Sequence, residues 1–303
     1  LDQEIDNALK IVGNPEVKSF KIAIDPANAM GISYLNELFN KIPAELVKLN
    51  FELDGTFPSH QADPLQPQNM VQLQQSVTES GADLGIATDG DGDRCFFVDE
   101  TGKTIPPSHI TALVARELLK KHPGEKVLFD VRYTLTPQTI IKEFGGTPVL
   151  TKVGHAFITE KLNKEGGIFG GESSGHYFFR DTGNAESQLP IILTVLTVLS
   201  QESKKFSEII AEISRSFESG EINFHVEDKD AVINEIKAHY PDADLLEIDG
   251  VAISYPDRRI SLRSSNTEPL LRLNVEALDK DQMEKLRDEV IELIKPHGEI
   301  ANH

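Results

Sequence analysis

Leu84-Gly85-Ile86-Ala87-Thr88-Asp89-Gly90-Asp91-Gly92-Asp93-Arg94-Cys95-Phe96-Phe97-Val98 is the stretch on which the reading of this chain turns. Apolar runs flank three carboxylates spaced two apart, with glycines between them and an arginine directly behind. Like charges this close repel one another, so the arrangement is costly without a counter-charge, and a divalent cation is the obvious one. Glycines keep side chains out of the way. Roughly extended backbone turns alternate residues, and so all three carboxylates, to one side. The pattern predicts a hard-cation site at a strand end, with Asp89, Asp91 and Asp93 as ligands and Mg²⁺ as the best-suited ion.

Three other readings fit parts of the stretch. An EF-hand would also use Asp89, Asp91, Asp93 and Glu100, but Arg94 stands where that loop needs glycine, and the flanks read as strands. A phosphatase with an aspartyl-phosphate nucleophile opens with Asp-x-Asp after an apolar strand, but no second acidic pair or partner lysine completes such a site. A solvated acidic turn without a ligand is the third.

Outward from the loop, strand and helix patterns alternate. Lys21 to Asp25 reads as a buried strand, residues 32–40 as a helix and Leu46 to Asn50 as a strand. A loop from Gly55 to His60, with Pro64 and Pro67 behind it, leads to a helix over 68–79 and the strand 83–88. This β-α-β-α-β order predicts a parallel sheet with crossover helices, and places the acidic loop at a strand's carboxyl end, where such sheets bind ligands. After Thr101-Gly102-Lys103 the pattern restarts, with strands expected at 126–131, 148–151 and 167–170 and helices at 108–121, 137–144, 155–164, 186–200 and 207–217. Beyond Ser219-Gly220 short strands surround two helices, the last opened by Asp279 as N-cap with Gln282 three residues on. The expected fold is α/β: two consecutive α/β domains with mixed sheets, 1–103 and 104–219, followed by a smaller α+β domain, 220–303.

Composition limits the partners. The 303 residues are 39% hydrophobic and 26% charged, with a net charge of −19. That balance argues against nucleic-acid or anionic-membrane binding but admits a small phosphorylated substrate. No apolar run approaches the roughly 20 residues that span a bilayer. The acidic start Leu1-Asp2-Gln3-Glu4 is unlike a signal peptide, and the single cysteine, Cys95, reads as a buried core residue. A reducing compartment, the cytoplasm, is expected.

Two further stretches carry polar chemistry. Gly170-Gly171-Glu172-Ser173-Ser174-Gly175-His176 sets a carboxylate, two hydroxyls and an imidazole between glycines. That set suits the vicinal hydroxyls of a sugar, although a strand-connecting turn is the plainer reading. Arg263-Ser264-Ser265-Asn266-Thr267-Glu268-Pro269 crowds a guanidinium, hydroxyls and an amide at a strand end, suited to a phosphate or, more plainly, an Asx turn. His155 behind Gly154, and Arg132 after a strand, are weaker candidates.

These stretches, in this order, resemble the α-D-phosphohexomutase family of phosphoglucomutases and phosphomannomutases. DGDGDR is similar to its metal loop, GESSGH to its sugar loop, RSSNTEP to its phosphate loop, and Gly55 to Pro64 to a segment before the metal loop. The resemblance covers the family's second, third and fourth domains. It implies hexose 1-phosphate and 6-phosphate as substrates, mannose or glucose, interconverted through a phosphoserine and a bisphosphate. It also implies Mg²⁺ on Asp89, Asp91 and Asp93, and Arg94 at the transferring phosphate. Glu172 and Ser174 would meet sugar hydroxyls, and His176 and His155 would move protons. Arg263, Ser265, Asn266 and Thr267 would hold the remote phosphate. Arg132 stands where many bacterial members carry lysine. The serine motif of the first domain does not occur here. The expectation is therefore a truncated protein, inactive without that domain, with a non-catalytic phosphosugar-binding module and the aspartyl-phosphate phosphatase as alternatives.

Overall fold

A computed structural model describes residues 1–265 and 269–301. The first unit contains α1 (Asp2–Val12), β1 (Phe20–Asp25), α2 (Gly31–Lys41), β2 (Ala44–Lys48), α3 (Pro67–Ser80), β3 (Leu84–Thr88), β4 (Cys95–Asp99) and β5 (Thr104–Ile105). Its sheet runs β2-β1-β3-β4-β5, parallel from β2 to β3 and antiparallel beyond. The sheet is covered on both faces, so β3 and β4 are buried throughout. Leu35 and Leu38 of α2 pack with Ile22 and Ile24, while Met70, Leu73 and Val77 of α3 pack with Ala23 on the opposite side. Strand order therefore reverses between β1 and β3, and the acidic loop leaves β3 at that switch point.

The second unit repeats the plan. It contains α4 (Pro107–Lys121), β6 (Lys126–Asp130), α5 (Leu135–Glu143), β7 (Thr147–Thr151), α6 (His155–Glu165), β8 (Phe169–Gly171), β9 (Tyr177–Phe179), α7 (Leu189–Glu202) and α8 (Phe206–Ile213). The sheet order is β7-β6-β8-β9, with β8 and β9 antiparallel. α7 is apolar almost all round and buried from Leu189 to Ser200. Its hydroxyls turn inward: Thr194 and Thr197 each donate to the carbonyl one turn back at 2.6 Å. One hydrophobic core joins α1, α2, α4, α7 and α8 and spans both units.

The third unit is smaller: β10 (Phe217–Glu218), β11 (Ile222–Val226), α9 (Lys229–His239), β12 (Asp244–Leu246), β13 (Val251–Ser254), β14 (Arg258–Ser264), β15 (Leu270–Ala277), α10 (Lys280–Ile294) and β16 (Gly298–Ile300). Its antiparallel sheet runs β12-β13-β14-β15-β11-β16, with β10 also on β15. Asp279 caps α10 by accepting from Gln282 N–H at 3.0 Å. The unit is tied to the second by buried polar contacts. Glu276 of β15 accepts from the N–H groups of Thr134 (2.7 Å) and Leu135 (3.0 Å), capping α5, and Arg259 donates to the Arg132 carbonyl at 3.1 Å. The architecture is the expected one: two α/β domains with mixed sheets and a smaller α+β domain.

Some element limits differ from those predicted. β2 begins at Ala44 rather than Leu46 and ends at Lys48, because Asn50 takes φ 48° and its amide turns in to Asp25 at 3.0 Å. The helix expected over 207–217 stops at Ile213, because Phe217 and Glu218 pair with β15. Helix α7 begins at Leu189, not 186, since Glu186 bridges Phe178 beside β9. α1 was not anticipated, although Ile5, Ala8 and Val12 fall on one buried face.

Candidate functional site

β3 and β4 run antiparallel, and the tight connection between them gathers Asp89, Asp91 and Asp93. One oxygen from each lies within 4.8 Å of the others. Gly92 is required: it sits at φ 80°, and a Cβ there would lie 3.1 Å from the Gly31 amide nitrogen. The N-terminus of α2 touches the loop, with Met30 N–H donating to the Gly90 carbonyl at 3.2 Å. That helix end places positive potential beside the carboxylates. Arg94 supplies more. Its N–H donates to Asp89 Oδ1 at 3.1 Å, its Nε lies 3.3 Å from Asp89 Oδ2, and its Nη1 reaches Asp63 of the proline-rich loop at 3.4 Å.

The electrostatics of the loop are split. Burial, reinforced by Asp93 and Asp91, pushes the Asp89 carboxyl up to about 6 against the pull of Arg94. Polar contact with His176 holds Asp93 down at about 2, against burial. Neighbouring carboxylates forced apart in this way mark a place where a cation would lower the energy of the set. Asp93 Oδ1 is buried, and among the described residues it has no hydrogen-bond partner beyond the 3.3 Å approach of His176 Nε2. An all-oxygen set of three carboxylates, one of them exposed, suits Mg²⁺, which keeps several waters.

The second loop leaves β8 and returns in β9. Glu172 N–H donates to the His176 carbonyl at 2.9 Å, closing the turn. The loop is pressed onto the first unit: Cys95 N–H donates to the Gly175 carbonyl at 3.0 Å, and the Gln188 amide donates to the Asp93 carbonyl. His176 is buried where the two loops meet. Its Nδ1 lies 2.9 Å from Ser174 Oγ and 3.4 Å from Glu172 Oε2, and its Nε2 lies 3.3 Å from Asp93 Oδ1. Burial alone would lower its pKa, but the contacts and charges of Asp93 and Glu172 outweigh it and raise the imidazole to about 9. His155, at the start of α6, is exposed, with its ring centroid 6.4 Å from that of His176.

Glu172 is almost fully buried. Its Oε1 accepts from the Gly154 N–H at 2.6 Å, so this carboxylate also fixes the segment that carries His155. Arg132 is buried beside Asp130, donating from Nη2 at 2.7 Å and from its own N–H at 2.8 Å. Asp130 also accepts from the Ser173 N–H at 2.7 Å. Burial works to raise the Asp130 pKa, but Arg132 and the Ser173 N–H prevail and hold it below the usual carboxylate range. Arg263, on β14, is buried and donates from Nε to Asp249 at 3.0 Å. Ser265 N–H donates to the Leu270 carbonyl at 2.9 Å. Asn266 and Thr267 lie outside the described residues.

Sequence reasoning passed over several groups here. An apolar run ending in aspartate, at Asp25 and at Asp130, was a visible signal for the two strand-end carboxylates. His60 faces Asp25, with Nε2 3.0 Å from Oδ2. Glu186 joins Asp93 and His176 in a second cluster of potential ligand atoms, and Asp249 meets Arg263. No local pattern distinguishes either from a surface acid.

Fold and loops together define a class: an α/β protein with an acidic loop facing a hydroxyl- and imidazole-bearing loop, and an arginine-bearing strand end on a third unit. Three family models described as phosphoglucomutase/phosphomannomutase match the chain: alpha/beta/alpha domain II over residues 4–102, alpha/beta/alpha domain III over 106–217, and the C-terminal domain over 221–293. The chain belongs to the phosphoglucomutase/phosphomannomutase family. It is 38% identical over 295 residues to the phosphohexose mutases of Xanthomonas campestris pv. campestris, covering 96% of this chain and 66% of that protein. It is 37% identical over 274 residues to the phosphomannomutase of Methanocaldococcus jannaschii, covering 90% of this chain and 61% of that one. A solved phosphoglucomutase/phosphomannomutase family protein from Burkholderia thailandensis superposes with a TM-score of 0.86 at 29% identity, covering 99% of this chain and 65% of that one. The chain thus spans a little under two thirds of the curated relatives it matches.

Proposed function

We propose that this chain carries the metal, sugar and phosphate sites of a hexose-phosphate mutase, one that interconverts hexose 1-phosphates and 6-phosphates of mannose, glucose or both. The phosphoryl group would pass through a phosphoserine on the family's first domain and a sugar bisphosphate. The observation that carries the reading is His176, which touches Asp93 of the acidic loop and Ser174 of the hydroxyl loop at once. A proton-moving group is thereby shared between the place for the cation and the place for the sugar.

Asp89, Asp91 and Asp93 would hold Mg²⁺, which when bound neutralises charge on a transferring phosphoryl group. Arg94, next to Asp89, would face that group with its remaining N–H donors. His176, set between Asp93 and Glu172, would give a proton to a sugar oxygen and take it back. His155, exposed across the gap, would serve the same end. Ser174 and Glu172 would orient His176 and offer their remaining acceptors to sugar hydroxyls. Arg132 would contact substrate from the end of β6. Arg263, Ser265, Asn266 and Thr267 would hold the phosphate that is not reacting.

Calorimetric titration of this chain with glucose 1-phosphate and mannose 1-phosphate in Mg²⁺ tests the reading. Saturable binding that His176→Ala weakens is expected, with no steady isomerisation by the chain alone. Sustained turnover without a first domain would overturn the phosphoserine step. Absence of binding to either sugar would overturn the sugar and phosphate assignments.

A further inference from the structure

The sugar loop and the strand carrying Arg263 belong to different units, and one short turn connects them. Asp249 and Gly250 lie between β12 and β13. Asp249 Oδ2 accepts twice, from Arg263 Nε at 3.0 Å and from the Val153 N–H at 3.0 Å. The next amide along, Gly154 N–H, donates to Glu172 Oε1 at 2.6 Å. Two adjacent peptide N–H groups just ahead of His155 are thus gripped by two carboxylates, one from the sugar loop and one from the third unit.

The turn is built for close approach. Gly250 has φ 68°, and a Cβ there would lie 2.1 Å from the Leu262 carbonyl oxygen and 2.9 Å from Arg263 Cα. Only glycine lets the chain press this tightly onto the strand that carries the arginine. Arg263 is itself buried, and among the described residues its Nη1 has no hydrogen-bond partner. A guanidinium is a rigid planar fork, so holding Nε fixes where the Nη groups stand.

We propose that Asp249 is a positioning residue for phosphosugar recognition. It sets the Arg263 guanidinium by its Nε edge, which leaves the Nη edge for a phosphate, and it ties that setting to the segment bearing His155 and so to Glu172. The inference rests on the reading that Arg263 meets a substrate phosphate. A ligand that is only a phosphate engages one end of this connection. A hexose phosphate engages both, and depends on their being held in register.

The test compares inorganic phosphate with glucose 6-phosphate and mannose 6-phosphate, titrated calorimetrically into the wild-type chain, Asp249→Ala and Asp249→Asn. Loss of a charge-assisted hydrogen bond that orients a ligand group is expected to weaken hexose-phosphate binding by about tenfold or more in Asp249→Ala, with inorganic phosphate weakened by a smaller factor because it engages only the Arg263 end. Asp249→Asn keeps an acceptor oxygen and a matching shape, and should recover most of the affinity. Amide hydrogen exchange at Val153 and Gly154 should quicken in Asp249→Ala and stay slow in Asp249→Asn. Unchanged hexose-phosphate affinity in Asp249→Ala would overturn the positioning role while leaving the Arg263 assignment standing. Equal losses for both ligands, with Asn no better than Ala, would overturn it as well. A wild-type chain that binds neither ligand would overturn the Arg263 reading and this inference with it.

Discussion

In the first unit β1 lies between β2 and β3, and in the second β6 lies between β7 and β8 in the same order. Each central strand ends in an aspartate that accepts from the N–H two residues on: Asp25 from Ala27 at 3.0 Å and Asp130 from Arg132 at 2.8 Å. The partners then diverge. Asp25 faces the imidazole of His60 and the amide of Asn50, groups able to be neutral. Asp130 faces the guanidinium of Arg132, which is always charged, and clamps the Ser173 amide of the neighbouring loop. The loops beside them diverge too. β3 is followed by three carboxylates that call for a cation, and β8 by one carboxylate, two hydroxyls and an imidazole. One scaffold thus carries two chemistries, and the difference lies in the strand-end loops rather than in the sheets.

The largest effect expected from this contrast is on stability. Asp130→Ala leaves Arg132 charged, buried and unpaired, which should cost about 3–5 kcal/mol. Asp25→Ala leaves only neutralisable partners, and should cost about 1–3 kcal/mol. Urea unfolding of the two variants measures both, and equal losses would break the contrast. Next in size is the acidic loop. Removing a proposed direct ligand should exceed the tenfold to hundredfold loss typical of outer-shell changes, so Asp93→Asn should weaken Mg²⁺ binding by more than about a hundredfold. Calorimetry with MgCl₂ would show this, and wild-type affinity in that variant would end the metal assignment.

A pH effect separates the units further. His109 in α4 of the second unit is buried, and burial together with Lys103 pushes its pKa down to about 4. In the unfolded chain the ring takes a proton near the ordinary histidine value of about 6.5, while in the fold it resists until about 4. The unfolded state therefore binds more protons in that window. Stability is fully present above the upper value and is lost as pH falls, by about 2 kcal/mol at pH 5. His109→Gln should flatten the wild-type curve there, and parallel curves would remove His109 as the cause. The smallest effect concerns the shared imidazole. Ser174→Ala removes the hydroxyl at Nδ1 and should weaken hexose-phosphate binding about fivefold, the worth of one ordinary hydrogen bond. No change in a calorimetric titration would limit Ser174 to the turn.

Much of the fold was legible because its causes are local. The periodicity of Ile22, Ile24 and Leu35, Leu38 placed strands and helices, and the glycine-spaced carboxylates placed the loop at a strand end. Element limits were less legible where a side chain far away decides them. β2 stops because Asn50 is drawn to Asp25, and α8 stops because Phe217 is claimed by β15.

The sequence by itself determined the order of the units, the presence of the three polar loops and the charge that each carries, since these follow from residue type and spacing along the chain. Only the tertiary structure decided which loops face one another. His176 reaching Asp93, Glu172 capping the amide of Gly154, and Asp249 joining Val153 to Arg263 are contacts between segments from separate strands and units. Such contacts depend on how sheets and helices close over a shared core. Hydrogen bonds and ion pairs act over a few ångströms, and no spacing within one segment encodes a distance to another.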